Sequence, residues 1–300
     1  MMKGFLRQHG ASGIAKAVIL LLALIFLYTP IMTLVVYSFN ESKMVTIWTN
    51  FSLHWYNVLV HDSAIISALC MSLTIAVMAA AASVVIGTMA AFVMVRVRHF
   101  AGESAFMLFM TAPMVLPEVI TGLALLLLYV TLGDFIPVFA DRGIVAIWVA
   151  HVTFCSAYAT VVIRSRFIEL DTSVEEAAKD LGAGPMKVFF AIMLPSLMPA
   201  EVAAFLLSFT MSMDDLVITS FIAGPESTTL PMLIFSSIRR GLSPEINALA
   251  AIIIFVASIG TFIGWLSMVR KQKRIAADQA KAKAEAKRER ETSMLGGVHG

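Results

Sequence analysis

Three carboxylates stand in stretches otherwise apolar enough to cross a bilayer: Glu118 in LPEVITG, and the pair Asp214 and Asp215 in SMDDLVI. An ionised acid near the middle of a span costs ~2.5–3.5 kcal/mol even on a lenient insertion scale, so each should face a cavity or a partner rather than lipid. At ~1.5 Å of rise per residue, both sites lie about 20 Å along their helices from the cytoplasmic ends, at similar depth slightly beyond the midplane, where they could line one chamber. On an ideal helix Glu201, Ser208, Ser212, Asp215 and Thr219 share one stripe. Asp214 is turned about 100° away, onto the face of Thr210 and Phe221. Asp215 is therefore expected to face the pathway, flanked by Ser212 and Thr219, with Asp214 as the alternative. A short aliphatic chain with an amine at each end would suit two carboxylates held apart, so Glu118 with Asp215 reads as a diamine clamp that a second chain could complete. The competing reading is that these acids pair internally or are held protonated by desolvation.

The elements that must position these acids are membrane helices. Of 300 residues, 59% are hydrophobic and 14% charged, whereas soluble domains have nearer half and a quarter. The chain reads as an all-α polytopic membrane protein with six transmembrane helices, at about 17–39, 64–95, 105–132, 143–163, 200–222 and 245–269. Residues 1–269 form the membrane domain, with a cytoplasmic loop over 164–199, and 270–300 form a charged tail of Ala, Lys, Glu and Arg that cannot bury a core. The first span is an uncleaved anchor, because no small-residue cleavage site follows it. Trp48, Trp55 and Tyr56 in the following polar loop suit headgroup anchoring. The second span is rich in Ala, Ser and Gly and should be a packed interior helix. Pro113 and Pro117 should kink the third, and Ser243-Pro244-Glu245 is a strong start for the sixth.

Six spans put both termini on one side. If that side is cytoplasmic, then of the 22 Lys and Arg only Lys43, Arg142, Arg239 and Arg240 lie outside, as the positive-inside rule requires. Arg239 and Arg240, paired guanidiniums on an outer loop, suit carboxylates on a partner surface. Cys70 and Cys155 fall inside spans, and the chain has neither a metal-ligand pattern nor a phosphate-binding loop. No catalytic residues, no metal site and no nucleic-acid partner are expected.

The largest charged island between spans is SVEEAAKDLGAGPMKVFFAIMLP, Ser173 to Pro195. Ser173 and Glu176 read as a capping box that starts a short helix. Gly182 and Gly184 should end it, and Pro185 fits the first turn of a second helix. The product is a helix-turn-helix elbow on the cytoplasmic side.

Glu176-Ala177-Ala178, then Gly182, then Ile192 and Leu194-Pro195 reproduce the spacing of the cytoplasmic signature of permease subunits of ATP-binding-cassette (ABC) importers, which this chain therefore resembles. The resemblance implies the type I ABC importer permease fold, with Glu175, Glu176, Ala177, Ala178, Gly182, Ile192, Leu194 and Pro195 coupling the membrane domain to an ATPase. LPEVITG at 116–122, SMDDLVI at 212–218, and AGP at 223–225 followed by TLP at 229–231 look like the polyamine branch, the spermidine and putrescine importers. Implied partners are a second permease chain, a paralogue or a copy of this one; two cytoplasmic ATPase subunits carrying ATP and Mg; and an extracytoplasmic substrate-binding protein. The implied place is a bacterial inner membrane. Iron and inorganic-anion importers share the elbow and remain the alternative. A membrane enzyme or a passive channel would leave the elbow unexplained.

Overall fold

The computed structural model describes residues 2–44, 47–97, 100–241, 243–264, 266, 269 and 270. The charged tail therefore lies, beyond Arg270, outside the described residues. Among them the regular structure is helical, apart from one antiparallel bridge between Asn40 and Phe51. The chain divides into two compact units, residues 1–59 with 243–300 and residues 60–242.

In the first unit, α1 (Met2–Tyr37) carries Pro30 in its interior. Thr29 and Thr33 turn their hydroxyls back onto the carbonyls of Ile25 and Thr29, at 2.6 and 2.8 Å, so they need no outside partner in lipid. Large apolar side chains such as Phe26, 80% exposed, cover its surface, as a span requires. After α1 the chain folds around Asn40, whose amide donates to the Ile47 carbonyl at 2.7 Å and accepts from the Thr49 amide at 3.0 Å. Trp55, on α2 (His54–His61), is buried and donates its indole N–H to the Asn40 carbonyl at 2.8 Å. Tyr56 bonds the Ser38 hydroxyl at 2.7 Å. These two aromatics hold a loop together rather than anchoring in headgroups, because the fold supplies each polar edge with an internal partner. Only Trp48, 45% exposed, keeps the exposure of an anchor. The last helix of the unit, α13, spans Pro244–Gly264, and the Ile246 amide bonds the Ser243 carbonyl at 3.0 Å. It starts at Ser243-Pro244 as expected.

The second unit is built on three long helices. α3 (Ser63–Arg96) packs along α7 (Ile144–Glu169), and α10 (Leu194–Asp214) lies against both. Small residues make this approach possible. Ala76, Ala79, Ala80, Ser83, Ala90 and Ala91 on α3 and Ala146, Ala150, Ala157 and Ala159 on α7 are buried. A Cβ on Gly87 would stand 2.9 Å from both the Ala159 Cβ and the Thr160 nitrogen. The small face of the Ala-rich second span is thus its contact surface, but Val77, Val85 and Met89 leave its other face exposed, so it is packed on one side rather than an interior helix.

Two expected spans are broken. The third is α4 (Glu103–Val115) and α5 (Glu118–Gly133), with the chain bent by 113° between them. Leu116 and Pro117 are extended, with ψ near 135° at both. A proline disfavours the helical conformation at the preceding residue, and with Leu116 extended the helix stops rather than kinks. The fifth stops at Asp214 and resumes as α11 (Val217–Ile222), while Asp215 is extended at ψ 120°. α11 packs against α5, where Gly122 leaves room for Phe221. α6 (Pro137–Ala140) stacks Phe139 on Tyr129 at 4.9 Å. Between 223 and 243, expected as loop, α12 (Leu230–Arg240) forms with Pro231 in its first turn.

Candidate functional site

The two helix breaks form the wall of one cavity of about 500 Å³, lined from the first break by Pro113, Pro117, Glu118 and Thr121 among others, from α7 by Phe154 and Tyr158, and from the second by Met211 and Asp214 through Ile218. Unwound backbone at membrane depth is tolerated where it lines such a cavity. Glu118, Asp214 and Asp215 all line it, and among the described residues no Lys or Arg does. Phe154 and Tyr158 add aromatic surface to the acidic wall, a combination that suits an ammonium group.

The two aspartates divide their work differently from the expectation. Asp215 is almost covered, its side chain 6% exposed. Its carboxylate accepts from the Thr219 amide at 2.8 Å, the Thr219 hydroxyl at 2.6 Å and the Ile218 amide at 3.3 Å, and lies 3.3 Å from His151 Nε2. It caps α11. Asp214 is exposed and lines the cavity. The stripe reasoning assumed one continuous helix through residue 222, and the break at Asp215 changes which acid is open. Ser212 and Thr219, expected on the pathway, are buried and bonded to His151, at 2.6 and 2.9 Å. They do not line the cavity. The pairing of Glu118 with Asp215 thus gives way to Glu118 with Asp214, both exposed on the same wall.

His151, 1% exposed, went unnoticed in the sequence. An ionisable side chain inside an apolar run was itself the signal. With Ser212 and Asp215 it has the composition of a hydrolytic triad, but Ser212 is 5% exposed and does not line the cavity.

The elbow lies at the other end of the helices. α8 (Thr172–Asp180) begins one residue before Ser173, the predicted cap. Asp171 caps it instead, accepting from the Ser173 amide at 2.9 Å, and this bond holds the Asp171 carboxyl below its ordinary range. An aspartate at this place competes better than a serine already inside the first turn. Gly182, at φ +83°, closes α8: its amide bonds the Lys179 carbonyl at 2.8 Å and the Ala183 amide bonds that of Ala178 at 2.9 Å. This is the paired C-terminal closure that glycine permits. Gly184 is extended and Pro185 opens α9 (Pro185–Val188). A π turn over Phe189–Met193 then joins α9 to α10. The π turn widens the helix just before Pro195, whose ring would clash with a normal preceding turn.

Glu176 and Ala177 are exposed, Ala178 and Ile192 half-buried, Leu194 half-buried and Pro195 exposed. Val174, Leu181 and Met186 add apolar side chains at the elbow's surface, with Leu181 89% exposed. Glu175 is buried, for a reason absent from the motif: Arg96, at the end of α3, grips it through Nη2 at 2.5 Å and Nε at 3.2 Å. At the opposite end, Arg239 lies 4.5 Å over the Phe235 ring and Arg240 bonds the Ser237 hydroxyl at 3.3 Å. Both arginines are exposed at the end of α12.

Comparison with known proteins places this architecture. The sequence profile of the family described as binding-protein-dependent transport system inner membrane component matches residues 83–275. The putrescine transport system permease protein PotI of Escherichia coli (strain K12) is 55% identical over 268 residues, covering 89% of this chain and 95% of that protein. The spermidine/putrescine transport system permease protein PotC of the same strain is 36% identical over 256 residues, covering 85% of this chain and 91% of that protein. Among solved structures, a chain of a bacterial ABC transporter involved in import of the acidic polysaccharide alginate aligns with a TM-score of 0.64 at 18% identity, over 86% of this chain and 95% of that one. At that identity the likeness bears on the fold alone. With its long apolar helices and cytoplasmic-type elbow, the chain is a multi-pass inner-membrane permease subunit and belongs to the binding-protein-dependent transport system inner membrane component family.

Proposed function

We propose that this permease carries a polyamine, putrescine or spermidine, inward through the cavity between the two helix breaks. The observation that carries the reading is the pairing of Glu118 with Asp214 on an aromatic wall that no Lys or Arg among the described residues lines. The 55% and 36% identical relatives named for putrescine and spermidine transport support it. An inorganic anion would meet only acids there, at a cost the cavity does nothing to offset.

The chain works beside a second permease chain, with two ATPase subunits that hold ATP and Mg in the cytoplasm and a binding protein that delivers cargo outside. Both termini are cytoplasmic, in keeping with the Lys and Arg distribution. The exposed face of the elbow, with Ala177, Leu181 and Met186, docks on the ATPase, and the rigid closure at Gly182 passes its displacement into α10. Arg239 and Arg240 at the end of α12 face carboxylates of the binding protein. In proteoliposomes holding the whole complex, labelled putrescine or spermidine should be taken up with ATP inside and loaded binding protein outside. Uptake of sulfate or iron instead of either polyamine overturns the cargo assignment.

A further inference from the structure

The cavity owes its shape to a residue outside it. α10 ends at Asp214 and α11 starts at Val217, and a broken helix needs something to fix the angle and offset of its halves. His151 supplies it from the middle of α7. Its Nδ1 lies 2.6 Å from the hydroxyl of Ser212, in the last turn of α10, and its Nε2 lies 2.9 Å from the hydroxyl of Thr219, in α11. One ring thus spans the break, from a helix packed against α3 and α10.

The hydrogen positions follow from the partners. The Thr219 hydroxyl spends its proton on Asp215 Oδ2, at 2.6 Å, so toward His151 it accepts and Nε2 must carry a proton. Nδ1 meets the Ser212 hydroxyl, which can either donate or accept, so each of these buried groups has a partner. Cys155, one turn along α7, lies 3.5 Å from the Ser208 carbonyl and extends the contact down α10. Asp214 and Asp215, between the two anchored residues, both line the cavity, and Asp214 is the exposed one.

We infer that His151 is a positioning residue for transport, a staple across the α10–α11 break that holds Asp214 in the cargo cavity without touching cargo. This rests on the cavity being the cargo site. Its mechanical part stands separately, since the staple holds the break whatever the cavity binds.

The test uses the complete transporter in proteoliposomes, in a Cys70→Ser background so that the buried Cys155 is this chain's one thiol. With this buried bond to a network with a charged member lost, uptake by His151→Ala should fall about ten-fold or more. ATP hydrolysis stimulated by loaded binding protein should fall less than about two-fold, a split that general loss of folding would not give. Maleimide labelling of Cys155 should quicken in the same variant. His151→Gln, with a donor and an acceptor in its amide, should recover part of the uptake. Thr219→Val, which keeps the shape and removes the bond, should repeat the His151→Ala pattern and stands in for it if that variant does not assemble. Wild-type uptake together with unchanged Cys155 labelling in His151→Ala and Thr219→Val overturns the inference. Faster labelling in those variants, combined with wild-type polyamine uptake in Asp214→Asn, keeps the staple and rejects the cargo cavity.

Discussion

Neutralising Glu175 should release the elbow from the membrane domain. Arg96 and Glu175 make three N–H to oxygen contacts, at 2.5, 3.2 and 3.2 Å, and their side chains are 18% and 9% exposed. The guanidinium also lies 5.8 Å over the Phe167 ring. Breaking a buried pair by removing one partner costs ~3–5 kcal/mol, because the other charge is stranded, whereas replacing both with apolar residues can be near neutral. Arg96 keeps some solvent, so the low end applies, about 3 kcal/mol. At ~1.4 kcal/mol per factor of ten, the fraction of elbows detached from α3 rises about 100-fold. Lys179 and Lys187 are exposed on the two arms of the elbow, and cleavage there by trypsin follows the open population when opening is fast. Glu175→Gln should therefore be cut about 100-fold faster than wild type in sealed vesicles with the elbow outward. The double substitution Arg96→Met with Glu175→Met should regain most of the protection. Cleavage of Glu175→Gln within two-fold of wild type would show that the ion pair does not hold the elbow.

Other substitutions address the remaining contacts. Gly182→Val forces a β-branched residue to φ +83°, where chirality costs ~1–2 kcal/mol or more; the variant should reach the membrane and hydrolyse ATP with uptake cut at least five-fold, and normal uptake would refute this. Gly87→Leu must push α3 off α7, given the 2.9 Å Cβ contacts, at ~1–3 kcal/mol for overpacking; the midpoint of thermal unfolding in detergent should fall, while Gly143→Ala, with open space at the Cβ, should leave it in place. Asp171 has a folded-state pKa below its unfolded value because the ionised form accepts from Ser173, so its contribution is fully present above the unfolded value near ~4 and is lost as pH falls through the folded one. Protease sensitivity of the elbow, read with pepsin, should rise more steeply toward pH 3 in wild type than in Asp171→Ala, which lacks the group from the outset.

What was legible in the sequence had local causes. The apolar runs, the glycine closure at Gly182, the helix start at Ser243-Pro244 and the small-residue face of α3 each depend on neighbours a few residues away, and each stands in the structure. The two helix breaks were hidden for different reasons. Pro117 predicts a kink, since a proline alone does not say whether the helix resumes in line. The break at Asp215 had no proline; it exists because His151, some 60 residues earlier, and Thr219 give that carboxylate a better partnership than a continuous helix would. The cavity could therefore be placed by its acids, but its open aspartate could not be chosen. Arg96 and Glu175 are likewise 79 residues apart, and Glu175 reads in sequence as one more charge on an exposed elbow.

The decisive measurement is uptake of labelled putrescine and spermidine by proteoliposomes carrying the complete transporter, with Asp214→Asn and Glu118→Gln singly and together and assembly checked on each. The cavity assignment predicts that either change lowers uptake about ten-fold or more, that the double change abolishes it, and that stimulation of ATP hydrolysis by loaded binding protein survives in all three. Wild-type uptake of both polyamines by the double variant would contradict it.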